Sequence, residues 1–143
     1  MAPLPPREIA INGFRCLAFN ENAPGTPVVL IHGLLCSIYF WWPSHLSVFG
    51  DRPIFVIGLP GHYPSASLSP SSKLSAESLA SSVLEQINQL LGSTTSFILV
   101  GHSTGAHAAI AAAAVVPEDQ PPPQQQQQRW QLVLGVSTAL GGG

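Results

Sequence analysis

Hydrophobic positions fall into three short, nearly continuous runs: "VVLIH" at 28–32, "PIFVIGLPG" at 53–61 and "SFILVG" at 96–101. A half-exposed strand alternates apolar and polar residues, so unbroken β-branched runs of this length predict strands covered on both faces. Alternation occurs earlier, in "REIAINGFRCLAFN". There Ile9 and Ile11 alternate, Asn12-Gly13 supplies the positive φ of a tight turn, and Phe14 to Phe19 returns, which predicts a hairpin. A helical period follows the second buried strand. Leu79, Val83, Ile87, Leu90 and Leu91 lie on one stripe, with Ser75 as N-cap, Glu77 in the first turn and Gly92 closing the helix. An alanine-rich stretch over 106–116 predicts a second helix, stopped at Pro117, and "WQLVLGV" at 130–136 predicts a last strand. The segment Ser37 to Phe49 predicts a helix interrupted by Pro43.

Strands alternating with helices, joined by crossovers of this length, define an α/β class. The expectation is a mostly parallel sheet with helices on both faces. "ENAPGTP" and the Ser/Pro-rich "HYPSASLSPSSK" read as loops. "EDQPPPQQQQQR", residues 118–129, is low complexity: three prolines favour an extended backbone and five glutamines have nothing to bury. It reads as a solvated insert within a single domain spanning 1–143.

Composition narrows the class. Hydrophobic residues make up 45% of the 143 and charged residues 8%, with a net charge of -2. So few and scattered Lys and Arg argue against a nucleic-acid surface. Cys16 and Cys36 form neither a metal-ligand spacing nor a disulfide framework, which predicts reduced, buried thiols. "MAPLPPREIA" carries prolines and an Arg-Glu pair where a signal peptide has a continuous apolar stretch. The apolar runs fall short of the ~20 residues a membrane span needs. These features point to the cytoplasm.

The candidate chemistry centres on Gly101-His102-Ser103-Thr104-Gly105, a G-x-S-x-G pattern. Alone it is weak, since three fixed positions arise by chance in roughly one chain in twenty of this length. Its context strengthens it. It follows a buried strand and opens an alanine-rich helix, the strand–turn–helix that a nucleophile elbow requires. Ser103 is the candidate nucleophile, held where a helix N-terminus favours developing negative charge. Acyl transfer also needs two N–H donors aimed at the tetrahedral oxygen. The backbone N–H groups of Leu34, after His32-Gly33, and Thr104, after Ser103, are the candidates. A further signal, "GLPGHYPS", ends the intervening strand.

Strand–His32-Gly33, helix, strand–loop with "GHYPS", helix, strand–"GHSTG", helix and strand, in that order, resemble the α/β-hydrolase superfamily. The resemblance runs from the first hairpin to residue 136 and corresponds to the N-terminal part of the family's fold. It implies a mostly parallel eight-stranded sheet of which this chain supplies the first six strands, truncated after the sixth. It also implies a serine hydrolase acting on an ester, thioester or amide, without metal or organic cofactor and with water as second substrate. A serine at the elbow argues against epoxide hydrolases and haloalkane dehalogenases, which place an aspartate there.

The family's order of serine, acid, then histidine is not completed. After Ser103 the only acids are Glu118 and Asp119, expected at the opposite sheet edge, and the only histidine is His107, expected to point away. His32 is expected to be a hydrogen-bonder beneath the 33–34 turn, His102 to pack beside the elbow, His45 to decorate the surface, and "FWW" at 40–42 to form core or pocket wall. Three readings stay open. Either the acid and base lie in further sequence, or the chain is a catalytically dead module that binds a ligand or partner; His62 as a substitute base is a third. The last apolar strand, as an open sheet edge, predicts dependence on missing C-terminal sequence or self-association.

Overall fold

The structure, a computed structural model, describes residues 5–41, 46–65, 75–92, 95–114 and 130–136. The low-complexity insert, Glu118, Asp119, Pro117, His45, Trp42 and Pro43 lie outside the described residues.

β1 (Arg7–Ile11) and β2 (Phe14–Phe19) form the expected hairpin. Asn12 and Gly13 have φ of 46° and 87°, the two consecutive positive values that a tight two-residue hairpin turn demands. β3 (Val28–Ile31), β4 (Ile54–Ile57), β5 (Phe97–His102) and β6 (Trp130–Val136) complete a six-stranded sheet in the order β1-β2-β4-β3-β5-β6. β2 joins β4 antiparallel, whereas the β4-β3-β5-β6 pairings are parallel.

Side-chain direction along the strands divides the core in two. Val29, Ile31, Phe55, Ile57 and Leu99 face α1 (Ala76–Leu91) and α2 (Thr104–Ala114), meeting Leu79, Val83, Ile87, Ala108, Ala109 and Ala112. Val28, Leu30, Ile54, Val56 and Val100 face the other way, onto Ile38, Trp41 and Leu46. Both helices therefore cover one face. The opposite face carries two short 3₁₀ helices, Ile38–Trp41 and Leu46–Phe49, in place of the helix expected over 37–49. The tighter winding stacks residues three apart. Ile38 and Trp41 are both buried, and a 3₁₀ turn aligns positions i and i+3.

α1 starts as expected. Ser75 accepts from the Ser78 N–H at 3.1 Å, and Ser78 Oγ accepts from the Ser75 N–H at 2.9 Å, a reciprocal cap that satisfies two otherwise orphaned donors. Gly92 ends the helix at φ 75°. α2 carries its small residues against the sheet, and Ala108, Ala109 and Ala112 are fully buried.

Candidate active site

The sheet order reverses at β3. From there the chain steps to β4 on one side, then crosses to β5 on the other. The carboxyl ends of β3 and β5 lie side by side at this reversal, the position at which open parallel sheets bind ligands. His32-Gly33 follows β3, and Ser103 follows β5.

Ser103 has φ of 55°, a left-handed conformation that costs a residue with a Cβ on the order of 1–2 kcal/mol. The turn holds because its neighbours have no side chains. A Cβ on Gly101 would run into the Gly105 carbonyl and stand 2.6 Å from the Ala106 nitrogen. A Cβ on Gly105 would run into the carbonyls of Ile31 and His32. Glycine at 101 thus lets α2 turn back on β5, and glycine at 105 lets α2 pack against the end of β3. The Ser103 carbonyl accepts from the Ala106 N–H at 2.9 Å, capping α2. Thr104 opens the helix, where no intrahelical carbonyl can take its N–H. Ser103 is half-buried, and its hydroxyl makes no hydrogen bond among the described residues.

Gly33 lies against this turn. A Cβ there would stand 3.2 Å from Ser103 Cβ and 2.9 Å from His102 Nδ1. Only glycine lets the two carboxyl-edge turns approach so closely. Leu34, the next residue, is exposed. His102 stacks on Phe40 with ring centroids 4.7 Å apart and meets Trp41 edge-on at 6.4 Å. His102 therefore packs beside the turn against Phe40 and Trp41. His107 is exposed on α2.

His32 is fully buried. Its Nδ1–H donates to the Gly33 carbonyl at 2.8 Å, and Nε2 accepts from the Leu59 N–H at 3.1 Å. Burial pushes its pKa down to about 4, the bond to Gly33 opposes this, and the neighbouring His62 adds to it. His62 repeats the arrangement one loop higher: Nδ1–H donates to the Pro60 carbonyl at 3.0 Å and Nε2 accepts from the Leu35 N–H at 3.1 Å. Both ring nitrogens of His62 are thereby committed to backbone.

Gln86 was not among the residues singled out from the sequence, yet it is fully buried on α1. Its Oε1 accepts from the Gly58 N–H at 3.1 Å and from the Cys16 thiol at 3.2 Å; its Nε2 donates to the Gly58 carbonyl at 2.7 Å. A polar position in the buried face of the α1 stripe was the one available hint. Cys16 is buried as expected, and burial pushes its thiol up to about 12. Cys36 is only half-buried, contrary to expectation, because the turn after Gly33 lies at the sheet edge and not beneath it. Among the described residues no group of three His, Cys, Asp or Glu side chains could hold a metal ion, and no helix is long and apolar enough to cross a membrane.

A parallel sheet reversing at β3, with a tight serine turn after the neighbouring strand, defines the class. The Alpha/beta hydrolase family profile matches residues 28–142, and the chain belongs to that family. Solved structures share the fold. An M. tuberculosis esterase superposes with a TM-score of 0.64 at 22% identity, covering 82% of this chain and 38% of its own. The Cif epoxide hydrolase from Acinetobacter nosocomialis gives 0.61 at 25% identity, over 78% and 34%. The thioesterase domain from the curacin biosynthetic pathway gives 0.59 at 24%, over 79% and 42%. The chain thus spans about a third of the length of such structures. None of the curated proteins matches it by sequence.

Proposed function

We propose that this chain carries the nucleophile half of a serine hydrolase that forms an acyl-enzyme at Ser103 from an ester, thioester or amide. The observation that carries the reading is the strained turn. Ser103 keeps a φ of 55° between β5 and α2, where glycine would sit without strain, and strain of this kind marks functional sites. In the proposed step Ser103 Oγ attacks the substrate carbonyl carbon, its proton leaves to a base, and the carbonyl electrons move onto oxygen. The Thr104 N–H, first in α2, and the Leu34 N–H, beside the closely packed Gly33, stabilise that oxyanion, aided by the α2 dipole. Collapse expels the alcohol, thiol or amine with a proton, and water then cleaves the acyl group.

His32, Gly33 and His102 shape the site. His32 holds the turn from below, Gly33 permits the close approach, and His102 forms the wall. In this reading the base and its orienting acid belong to residues outside the described ones: the rings of His32 and His62 are committed to backbone, His102 is stacked on Phe40, and His107 is exposed on α2. Serine at this position favours acyl transfer over the epoxide opening named for some structural neighbours. Two unpaired cysteines agree with a reducing compartment such as the cytoplasm.

The test uses the full-length protein and a fluorophosphonate probe, with Ser103→Ala as control. Labelling that depends on Ser103 supports the proposal. Labelling no greater than in the control overturns it and leaves a catalytically inactive binding module.

A further inference from the structure

The segment from Gly58 to His62 is gripped from two sides. On one side Gln86 of α1 takes both polar groups of Gly58, donating to its carbonyl at 2.7 Å and accepting its N–H at 3.1 Å. Ser82 supports the same amide at 3.2 Å, and the Cys16 thiol donates to its oxygen at 3.2 Å. A Cβ on Gly58 would stand 2.7 Å from Ser65 Oγ and 3.2 Å from the Arg15 carbonyl, so it would displace the Ser65 hydroxyl. Ser65 Oγ in turn accepts from the Arg15 N–H of β2 at 3.1 Å.

On the other side the segment reaches the turn that follows β3. The Leu59 N–H goes to His32 Nε2, and the Leu35 N–H goes to His62 Nε2, both at 3.1 Å. Leu35 needs such a hold. Its φ is 62° and the residue is 92% exposed, so the apolar side chain buries little that would fix this unfavourable backbone. Leu34, whose N–H the proposed reaction uses, is the preceding residue.

Resting on the reading of Ser103 as nucleophile, we propose that Gln86 and His62 are positioning residues for the oxyanion turn. Gln86 fixes the Gly58–Leu59 peptides, and His62 transmits that fixed position to Leu35, keeping the Leu34 N–H beside Ser103. Neither touches substrate. Each acts through backbone: Gln86 through Gly58, His62 through Leu35.

The experiment compares His62→Phe, His62→Gln, Gln86→Leu and the double variant His62→Phe/Gln86→Leu in the full-length protein. Two readouts are followed: hydrogen exchange at the Leu35 amide, and the second-order rate constant of fluorophosphonate labelling at Ser103. His62→Phe removes both ring hydrogen bonds; loss of the one to the Leu35 N–H predicts faster Leu35 exchange and slower labelling, each by roughly tenfold. His62→Gln places an acceptor oxygen near the lost Nε2 and restores most of both. If the two residues act in series, the double variant is no slower in labelling than the worse single variant; multiplied effects overturn the series. Should Gln86→Leu fail to fold, Gln86→Glu, which keeps the acceptor for the Gly58 N–H and loses the donor to its carbonyl, takes its place singly and in the double variant, with the same outcomes deciding. Leu35 exchange unchanged by His62→Phe overturns the inference, even if Ser103 proves unreactive in the parent protein and the hydrolase reading falls. Faster exchange with unchanged labelling overturns it equally, because the turn would then be held without bearing on the reaction.

Discussion

Acidification should load a proton onto a ring that the fold keeps neutral. His32 is fully buried, with Nδ1–H already given to the Gly33 carbonyl and Nε2 facing the Leu59 N–H. A proton on Nε2 would set two donors against each other, and burial would oppose the charge. The ring's pKa falls from the ordinary 6.5 to about 4. The unfolded chain therefore binds a proton that the folded chain refuses between those values, so stability is held above the upper one and lost as pH falls toward the lower. The difference corresponds to about 3 kcal/mol, a large share of the roughly 5–15 kcal/mol that keeps a domain folded. Urea unfolding measured from about pH 7.5 to about pH 4, on the parent and on His32→Asn, isolates this term from the other titrating groups. The variant starts less stable because it loses hydrogen bonds in the core, but its curve lacks the histidine's contribution. The stability gap should narrow by about 3 kcal/mol over that range. A gap that stays constant with pH would refute the assignment of His32 as a neutral, doubly bonded ring.

Other consequences follow from the same geometry. Gly105→Ala drives a methyl group into the carbonyls of Ile31 and His32, and should cost roughly 3 kcal/mol or more, or prevent folding, as read by thermal unfolding. At position 103, glycine relieves the positive φ and alanine does not. Ser103→Gly should therefore unfold at higher urea than Ser103→Ala, by about 1 kcal/mol, with neither variant labelled. In the native protein a thiol reagent should modify Cys36 and spare Cys16, whose thiol is buried and pushed up to about 12; peptide mass spectrometry reads the site, and equal modification of both would contradict that burial. Ser75→Ala breaks the reciprocal cap of α1 and should lower stability by about 1 kcal/mol in urea unfolding.

Much of this was legible locally. Each β-strand was marked by an apolar run or by alternation. The α1 boundaries were marked by Ser75 and Gly92, and the serine turn by two glycines between a strand and an alanine-rich helix. Such signals depend on neighbours within a few residues, so they survive without tertiary knowledge. Where several local tendencies competed, the packing decided. Residues 38–41 wind as a 3₁₀ turn because Ile38 and Trp41 must enter the same core, and periodicity over four residues cannot separate that from an α-helical turn.

By itself the amino-acid order determined the strands, the α1 caps and the glycines that permit a strained serine, since each follows from backbone sterics and short-range hydrophobic period. Only the tertiary structure decided that β4 lies between β2 and β3, which places the ends of β3 and β5 side by side. It alone decided that Gln86, Gly58, His32 and His62 form one bonded set, because those partners lie 27 or 28 positions apart. A buried donor accepts whichever acceptor the packed fold brings within 3 Å or so, and that choice is written in no local stretch of chain.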